Sequence, residues 1–257
     1  MIVYKKASIL ENTPVGENIF HLSLEFSGWA LPGQFYLLKL PFQEPLLARP
    51  FSVFELGERS IEFLYQVKGV GTNLLSTMVK REILTLTGPL GNGWPLPEPE
   101  KKLALIGGGI GLASLNMLTR EINSKNNSKV DLYLGFSKKP FMLESFSKIT
   151  HRIVVSSEEK NEPFLQGKIT EFINPADYDA IYACGPRPMF KALRSMIKNE
   201  GNKYNKPIDL LVSLEEKMAC GLGSCWGCVV KVKGEYKRVC HDGPVFNAWE
   251  VDWDEYS

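Results

Sequence analysis

The stretch 102-KLALIGGGIGLASLNMLTREIN-123 predicts the architecture of the middle of the chain. Its apolar run is followed by four closely spaced glycines and then by apolar residues at helical spacing. Strand, glycine-rich turn and helix in this order open a doubly wound sheet, in which the turn binds the phosphates of a dinucleotide. The candidate nucleotide-binding residues are Gly107, Gly108, Gly109 and Gly111. Ser114 stands where the fingerprint usually has Gly or Ala, so the match is approximate.

Strands and helices continue to alternate after this unit. Further strands are predicted at 129–136, 151–157, 179–185 and 208–212, with a helix at 188–201 that begins with proline and ends with glycine. This alternation predicts a parallel sheet with helices on both faces. We place the α/β nucleotide domain at residues 99–212, with its first boundary in the proline-rich segment 95-PLPEPE-100.

Residues 1–98 show a different pattern. Five short segments of strand character, each bounded by Gly, Pro or polar residues, lie at 19–26, 34–40, 52–56, 60–67 and 82–91. They predict a small antiparallel β-barrel. The last 45 residues, 213–257, form a third and smaller domain in this division.

Three motifs in the barrel domain resemble those of the ferredoxin reductase superfamily. The first is 49-RPFS-52, comprising Arg49, Pro50, Phe51 and Ser52. In that superfamily the arginine faces the flavin pyrophosphate, to which a guanidinium donates bidentate hydrogen bonds, and the serine lies against the flavin ring. The second motif contains Gly69, Gly71 and Thr72, which precede a predicted helix whose N-terminus can bind phosphate. The third is 88-GPLGNGW-94. The resemblance implies FAD, whereas a surface arginine and ordinary turns are the alternative.

A fourth motif lies in the nucleotide domain. Cys184, Gly185 and Pro186 in 182-YACGPRPMF-190 resemble the Cys-Gly-Pro element at which these reductases place the nicotinamide ring. A buried, inert cysteine at a strand end is the alternative. The choice between NAD and NADP is poorly marked, because Lys138 and Lys139 follow the second strand where an acidic residue would bind the ribose of NAD.

The other four cysteines are concentrated near the end of the chain. Four residues separate Cys220 from Cys225, two separate Cys225 from Cys228, and eleven separate Cys228 from Cys240. The first two spacings are those of plant-type 2Fe-2S ferredoxins, whereas structural zinc usually has two Cys-x-x-Cys pairs. We therefore expect a 2Fe-2S cluster, with structural zinc and a disulfide as alternatives.

Composition limits the other function classes. The 257 residues include 30 basic and 29 acidic side chains, so no net field favours nucleic acid or an anionic membrane. The most apolar run is broken by glycines and is too short to span a bilayer. We expect a cytoplasmic protein whose partners are small molecules and other proteins.

Taken together, the motifs resemble a family of electron transfer subunits from two-protein, NAD-linked bacterial dihydroorotate dehydrogenases. The resemblance covers essentially the whole chain, and its most specific parts are 214-LEEKMACGLGSC-225 and 242-DGPVF-246. It implies that an FMN-containing catalytic subunit oxidises dihydroorotate and that electrons pass through the 2Fe-2S cluster and FAD to NAD. It also implies a hetero-oligomer of two plus two chains. No catalytic acid or base is expected, because the cofactors carry the chemistry.

Two other functions use some of the same features. A homologous subunit could serve a hydrogenase or a ferredoxin-linked NAD(P)H oxidoreductase, and Lys138 and Lys139 favour a phosphate-bearing nucleotide. A zinc-containing binding protein would use the cysteines alone. Colour separates the zinc protein from the others, since flavin and iron-sulfur proteins are brown-yellow.

Overall fold

In the computed structural model, which describes residues 2–125, 128–147, 149–204 and 208–255, the first third of the chain forms a closed antiparallel barrel. Its strands pair in the order β1-β2-β5-β4-β3-β6, and β6 pairs back to β1. One short helix, α1 (Val70–Thr77), lies between β5 and β6. The strands are β1 (Val3–Gly16), β2 (Ile19–Glu25), β3 (Phe35–Lys39), β4 (Arg49–Leu56), β5 (Ser60–Gln66) and β6 (Ile83–Leu90).

The five predicted barrel strands are confirmed, but β1 was not predicted. The first half of this 14-residue strand pairs with β6 and the second half with β2, which closes the barrel. Only Ala7 and Ile9 of β1 are buried. Because most of its side chains face solvent, β1 lacks the apolar alternation on which strand prediction depends.

The middle of the chain forms the predicted parallel sheet, with strand order β10-β9-β8-β7-β11-β12. The C-terminal strand β15 (Val245–Asn247) adds an antiparallel edge next to β12. Its helices are α2 (Ala113–Lys125), α3 (Glu144–Ser147) and α4 (Arg187–Tyr204). Its parallel strands are β7 (Lys102–Gly108), β8 (Lys129–Phe136), β9 (Arg152–Ser157), β10 (Leu165–Gln166), β11 (Ala180–Cys184) and β12 (Asp209–Ser213).

The central strand β7 is buried on both faces. Leu103 and Leu105 share a core with Leu118 of α2, whereas Ala104 and Ile106 share another with Leu193 of α4. Successive strand residues point to opposite faces, so a strand covered on both sides is a continuous apolar run. This packing confirms the doubly wound fold predicted from the glycine-rich unit.

Two helix boundaries differ from the prediction. Helix α1 begins at Val70, so Gly71 and Thr72 lie in its first turn and do not precede it. Helix α4 continues past Gly201 to Tyr204. A glycine inside a helix costs about 1 kcal/mol relative to alanine, which weakens a helix without necessarily ending it.

The C-terminal segment is anchored to the sheet. A hairpin of β13 (Val229–Val232) and β14 (Glu235–Arg238) precedes β15 (Val245–Asn247), which pairs antiparallel with β12. The ring of Trp253 lies 5.9 Å from that of Phe190 in α4. The segment therefore shares a hydrophobic core with α4. Strand β15 belongs to the predicted third domain, yet it forms an edge of the sheet of the second. The three-domain division stays a prediction.

In the described ranges, no helix is both long and apolar enough to cross a membrane.

Candidate functional site: a nucleotide cleft, a flavin site and a cysteine centre

A cleft of about 750 Å³ lies between the barrel and the carboxyl ends of the parallel strands. The barrel contributes residues 17–19, Gln66 and Lys68, and the sheet contributes the glycine-rich turn and residues 135–139. Ligands of open α/β sheets bind at this edge of the strands. The cleft is therefore the candidate nicotinamide nucleotide site.

The structure brings the two predicted nucleotide motifs together. A Cβ on Gly111 would overlap the carbonyl oxygen of Cys184, and one on Gly108 would lie 2.6 Å from Pro186 Cδ. Gly107 and Cys184 are in register on neighbouring strands. Gly108, Gly109, Gly111, Gly185 and Pro186 line the cleft. The absence of side chains in the turn permits this approach, which leaves backbone exposed to a ligand.

Cys184 itself is buried at the end of β11. Burial and the nearby charge of Glu215 raise the pKa of its thiol to about 12. The thiol is therefore neutral at physiological pH, and this cysteine is a poor nucleophile. The geometry favours a packing role beneath the cleft for Cys184.

The predicted flavin residues Arg49 and Gly71 are in contact. Arg49 begins β4, and its guanidinium occupies the space that a Cβ on Gly71 would fill in the first turn of α1. Its Nη1 donates hydrogen bonds to the carbonyl oxygens of Leu47 and Pro45. A guanidinium beside a helix start combines a cation with the positive end of a helix dipole. This arrangement fits the pyrophosphate of FAD.

The remaining flavin candidates lie beside this pair. Thr72 Oγ1 accepts hydrogen bonds from the backbone N–H groups of Lys68 and Gly69, at 2.9 and 3.2 Å. Phe51 packs on the rings of Phe63 and Tyr65. Two further members of the motif, Pro50 and Ser52, face the β3 residues Leu37 and Phe35 in the ladder.

The four C-terminal cysteines lie in two pairs of side chains, Cys220 with Cys225 and Cys228 with Cys240. Burial opposes ionisation of Cys220, yet backbone N–H groups in residues 222–225 lower the pKa of its thiol to about 6. Burial raises the pKa of Cys240 to about 12, and the hydrogen bond to Cys228 acts in the same direction. Cys225 is exposed, whereas Cys228 and Cys240 are buried.

The backbone around these thiols suits sulfur ligands. The N–H groups of Leu222 and Cys240 donate to the Sγ atoms of Cys220 and Cys228, each at 3.4 Å. Two thiol pairs with N–H donors fit the donor set of a cluster with two irons.

The chain from residue 220 to residue 244, here called the cysteine segment, packs directly on the barrel. A Cβ on Gly91 would lie 2.7 Å from Pro244 Cδ, and Asn92 N donates to Gly243 O at 2.6 Å. Asn92 Nδ2 also donates to the carbonyl oxygens of His241 and Asp242, at 3.3 and 3.2 Å. The 88-GPLGNGW-94 motif therefore joins the barrel to the cysteine segment. Sequence reasoning placed this motif but did not identify Asn92 as the connection.

Lys138 is one of the two lysines that made the choice between NAD and NADP uncertain from sequence. It forms an ion pair with an acidic side chain of the barrel domain. Its Nζ lies 2.7 Å from Glu17 Oε1 across the cleft, and this pairing raises the pKa of Lys138. Glu17 was not among the predicted site residues. It follows β1, the strand that the prediction missed, so no sequence pattern placed it at the cleft.

The chain is similar to known proteins over most of its length. Residues 215–252 match the family model described as the iron-sulfur cluster binding domain of dihydroorotate dehydrogenase B. The chain is 38% identical over 253 residues to "Dihydroorotate dehydrogenase B (NAD(+)), electron transfer subunit" from Caldanaerobacter subterraneus subsp. tengcongensis, covering 96% of this chain and 97% of the relative. It is 35% identical to the subunit of the same name from Clostridium acetobutylicum, with the same coverage of both chains.

A solved structure extends the comparison to the fold. A chain from the structure of an NADH-dependent reduced ferredoxin-NADP oxidoreductase, described for flavin-based electron bifurcation, superposes with a TM-score of 0.83 at 27% identity. The match covers 97% of this chain and 90% of that one. The fold is thus that of the ferredoxin reductases. On identity and coverage together, the chain belongs to the family of dihydroorotate dehydrogenase B (NAD(+)) electron transfer subunits.

Proposed function

We propose that this chain takes electrons from an FMN-containing catalytic subunit that oxidises dihydroorotate to orotate, and delivers them to NAD. The 2Fe-2S cluster would carry single electrons and FAD would convert them to a hydride. In this proposal Cys220, Cys225, Cys228 and Cys240 bind the cluster. FAD is bound by residues 49–52 with Gly69, Gly71 and Thr72, and the nicotinamide nucleotide by residues 107–111 and 184–186.

The observation that carries the proposal is the position of the cysteine segment on the barrel. Gly221, next to the first cysteine, packs on Leu37 of β3 and Leu90 of β6. Leu37 is in register with Pro50 of the flavin motif. The cysteine segment thus packs on β3, the strand that pairs with β4 of the flavin motif. Short separation between redox centres is what electron transfer needs from a protein scaffold.

The chain's own residues have binding and positioning roles in this scheme. Arg49 would bind the pyrophosphate, and the glycine-rich turn would admit the nucleotide to the backbone. Neutral, buried Cys184 would support the turn from below. We propose three units with boundaries at 98/99 and 212/213, a complex of two plus two chains, and a cytoplasmic location.

A second function is favoured by one specific observation, the TM-score of 0.83 with a chain of a ferredoxin-NADP oxidoreductase structure. A subunit serving such a partner would use the same cofactor motifs, and Lys138 and Lys139 would suit NADP. The two functions differ in electron donor and nucleotide.

The test is anaerobic affinity purification of this chain from its own cells. The recovered complex is assayed for dihydroorotate-dependent reduction of NAD and, in parallel, of NADP. Orotate formed together with NADH supports the proposal. A coloured complex that is inactive with dihydroorotate contradicts it, and mass spectrometry of the co-purified chain then identifies the actual partner.

A further inference from the structure

Arg238, the last residue of β14, joins the two halves of the cysteine segment. Its Nη1 donates a hydrogen bond to the carbonyl oxygen of Gly223 at 3.0 Å. Its Cζ lies 4.6 Å from the centre of the Trp226 ring, a cation–π contact. Arg238 therefore binds the 220–228 loop at two points, between the first and third cysteines.

The same guanidinium binds the turn that carries Cys240. Nε and Nη2 donate to the two carboxylate oxygens of Asp242 at 2.9 and 3.1 Å, in bidentate geometry. The backbone N–H of Arg238 donates to the same carboxylate at 2.8 Å. The backbone N–H groups of His241 and Asp242 return hydrogen bonds to the Arg238 carbonyl, at 3.1 and 2.7 Å. In the chain, Cys240 therefore lies between Arg238 and Asp242, the two residues of this ion pair.

This ion pair is partly shielded from water. The side chains of Arg238 and Asp242 are only 22% and 24% exposed. The neighbouring cation Lys237 is paired with Glu235 at 2.7 Å, and its side chain is more exposed, at 40%. Charges in shielded positions act on their surroundings more strongly than charges in bulk water. A fixed cation and a fixed anion therefore lie beside the cysteine centre.

We propose that the Arg238–Asp242 pair sets the reduction potential of the cluster, with Arg238 raising it and Asp242 lowering it. The inference rests on the proposed function. On reduction the cluster takes up one electron and one negative charge, without a proton transfer or a change in any bond. A nearby cation stabilises that added charge and a nearby anion destabilises it, and cluster potentials respond to net charge and hydrogen bonding.

The test compares cluster midpoint potentials in the purified holo complex, using dithionite as the reductant and electron paramagnetic resonance as the readout. Arg238→Gln should lower the equilibrium constant for one-electron reduction about tenfold, which corresponds to about 59 mV. Asp242→Asn should raise it by a similar factor. The control is Lys233→Gln, which removes an exposed charge at the turn of the same hairpin. Lys233 is paired with Glu250, and its replacement should leave the cluster potential unchanged.

An electrostatic role predicts that the midpoint potential shifts in opposite directions in the two variants, whereas a purely structural role does not. Shifts of the same sign in Arg238→Gln and Asp242→Asn, or no shift in either, would overturn the proposal. If Arg238→Gln does not retain its cluster, Asp242→Asn decides: a higher potential supports the proposal and an unchanged one rejects it. Arg238→Lys keeps the charge and loses the bidentate geometry, so its potential should stay close to the parent's.

The parent complex separates this inference from the proposed function. A parent that lacks a cluster or forms no NADH from dihydroorotate counts against the proposed function. An active parent whose two variants keep the parent potential rejects only the role assigned to Arg238 and Asp242.

Discussion

Gly221 packs against the side chain of Leu37, so the cysteine segment approaches the barrel at a residue that has no side chain of its own. A Cβ on Gly221 would come within 2.6 Å of Leu37 Cδ1 and 3.2 Å of Leu90 Cδ1. The φ angle of Gly221 is +68°, in the region that favours glycine. Both the conformation and the close approach therefore require glycine beside Cys220.

Replacing Gly221 with alanine should displace the cysteine loop from the barrel. The φ angle alone costs about 1–2 kcal/mol for a residue with a Cβ. Gly234 is a matched control, because its φ is +79° and nothing lies within 4 Å of a Cβ placed there. We expect Gly221→Ala to lower both the melting temperature and the iron-to-flavin ratio, and Gly234→Ala to lower only the melting temperature. Equal iron-to-flavin ratios in the two variants would show that the contact with Leu37 does not position the cluster.

Replacing Arg49 with alanine should weaken FAD. Loss of a charge-assisted hydrogen bond costs about 1.5–3 kcal/mol, or roughly 10- to 100-fold in the dissociation constant. Arg59→Ala is the control, since that arginine is exposed on the same barrel and paired with Glu25. Fluorescence titration of the flavin-depleted protein measures both affinities. An unchanged affinity in Arg49→Ala would remove this residue from the flavin site.

Replacing Cys225 with serine should remove the cluster and leave the flavin bound. Cys225 is an exposed member of the Cys220 pair, so the substitution leaves the packing of the barrel intact. Cys184→Ser is the control for iron, because this fifth cysteine lies at the end of β11 and outside the cysteine segment. Iron and flavin are measured on the same samples. Loss of flavin in parallel with iron from Cys225→Ser would contradict the separation of the two sites.

Replacing Glu17 with glutamine should increase the use of NADP relative to NAD. Glu17 neutralises Lys138 at the cleft, so its removal frees a cation for a 2′-phosphate. Because exposed ion pairs contribute little, the ratio of kcat/KM for NADP to that for NAD should rise only about a few-fold. Glu11→Gln, on β1 outside the cleft, should leave this ratio unchanged. A change of equal size in Glu11→Gln, or no change in Glu17→Gln, would exclude this role for the pair.

The fold could be predicted wherever local pattern and local structure agree. The apolar run 103–106, the glycines after it and the helical spacing that follows all indicate one strand–turn–helix unit, and the sheet contains it. Strand β1 was not predicted, because pairing with β2 and β6 stabilises it and its sequence lacks apolar alternation. Gly201 was expected to end α4, but the helix continues through it.

The candidate site could be predicted only as separate motifs. Spacing identified the four cysteines, and the glycine-rich turn and Cys184 were located on the correct elements. Contacts between distant segments could not be read in this way. Asn92 is 149 residues from the carbonyl of His241 to which it donates, and Glu17 is 121 residues from Lys138. No sequence motif marks Arg238, because its contacts depend on how the β13–β14 hairpin packs against the 220–228 loop.

The most direct test of the electron route compares the parent complex with the complex containing Cys225→Ser. With dihydroorotate and NAD under anaerobic conditions, the parent should form orotate and NADH in equal amounts. The variant should form no NADH from dihydroorotate, yet still reduce a dye with NADH, because the flavin and nucleotide sites are intact. NADH formed from dihydroorotate at the parent rate by a variant that lacks iron would contradict the passage of electrons through this chain's cluster.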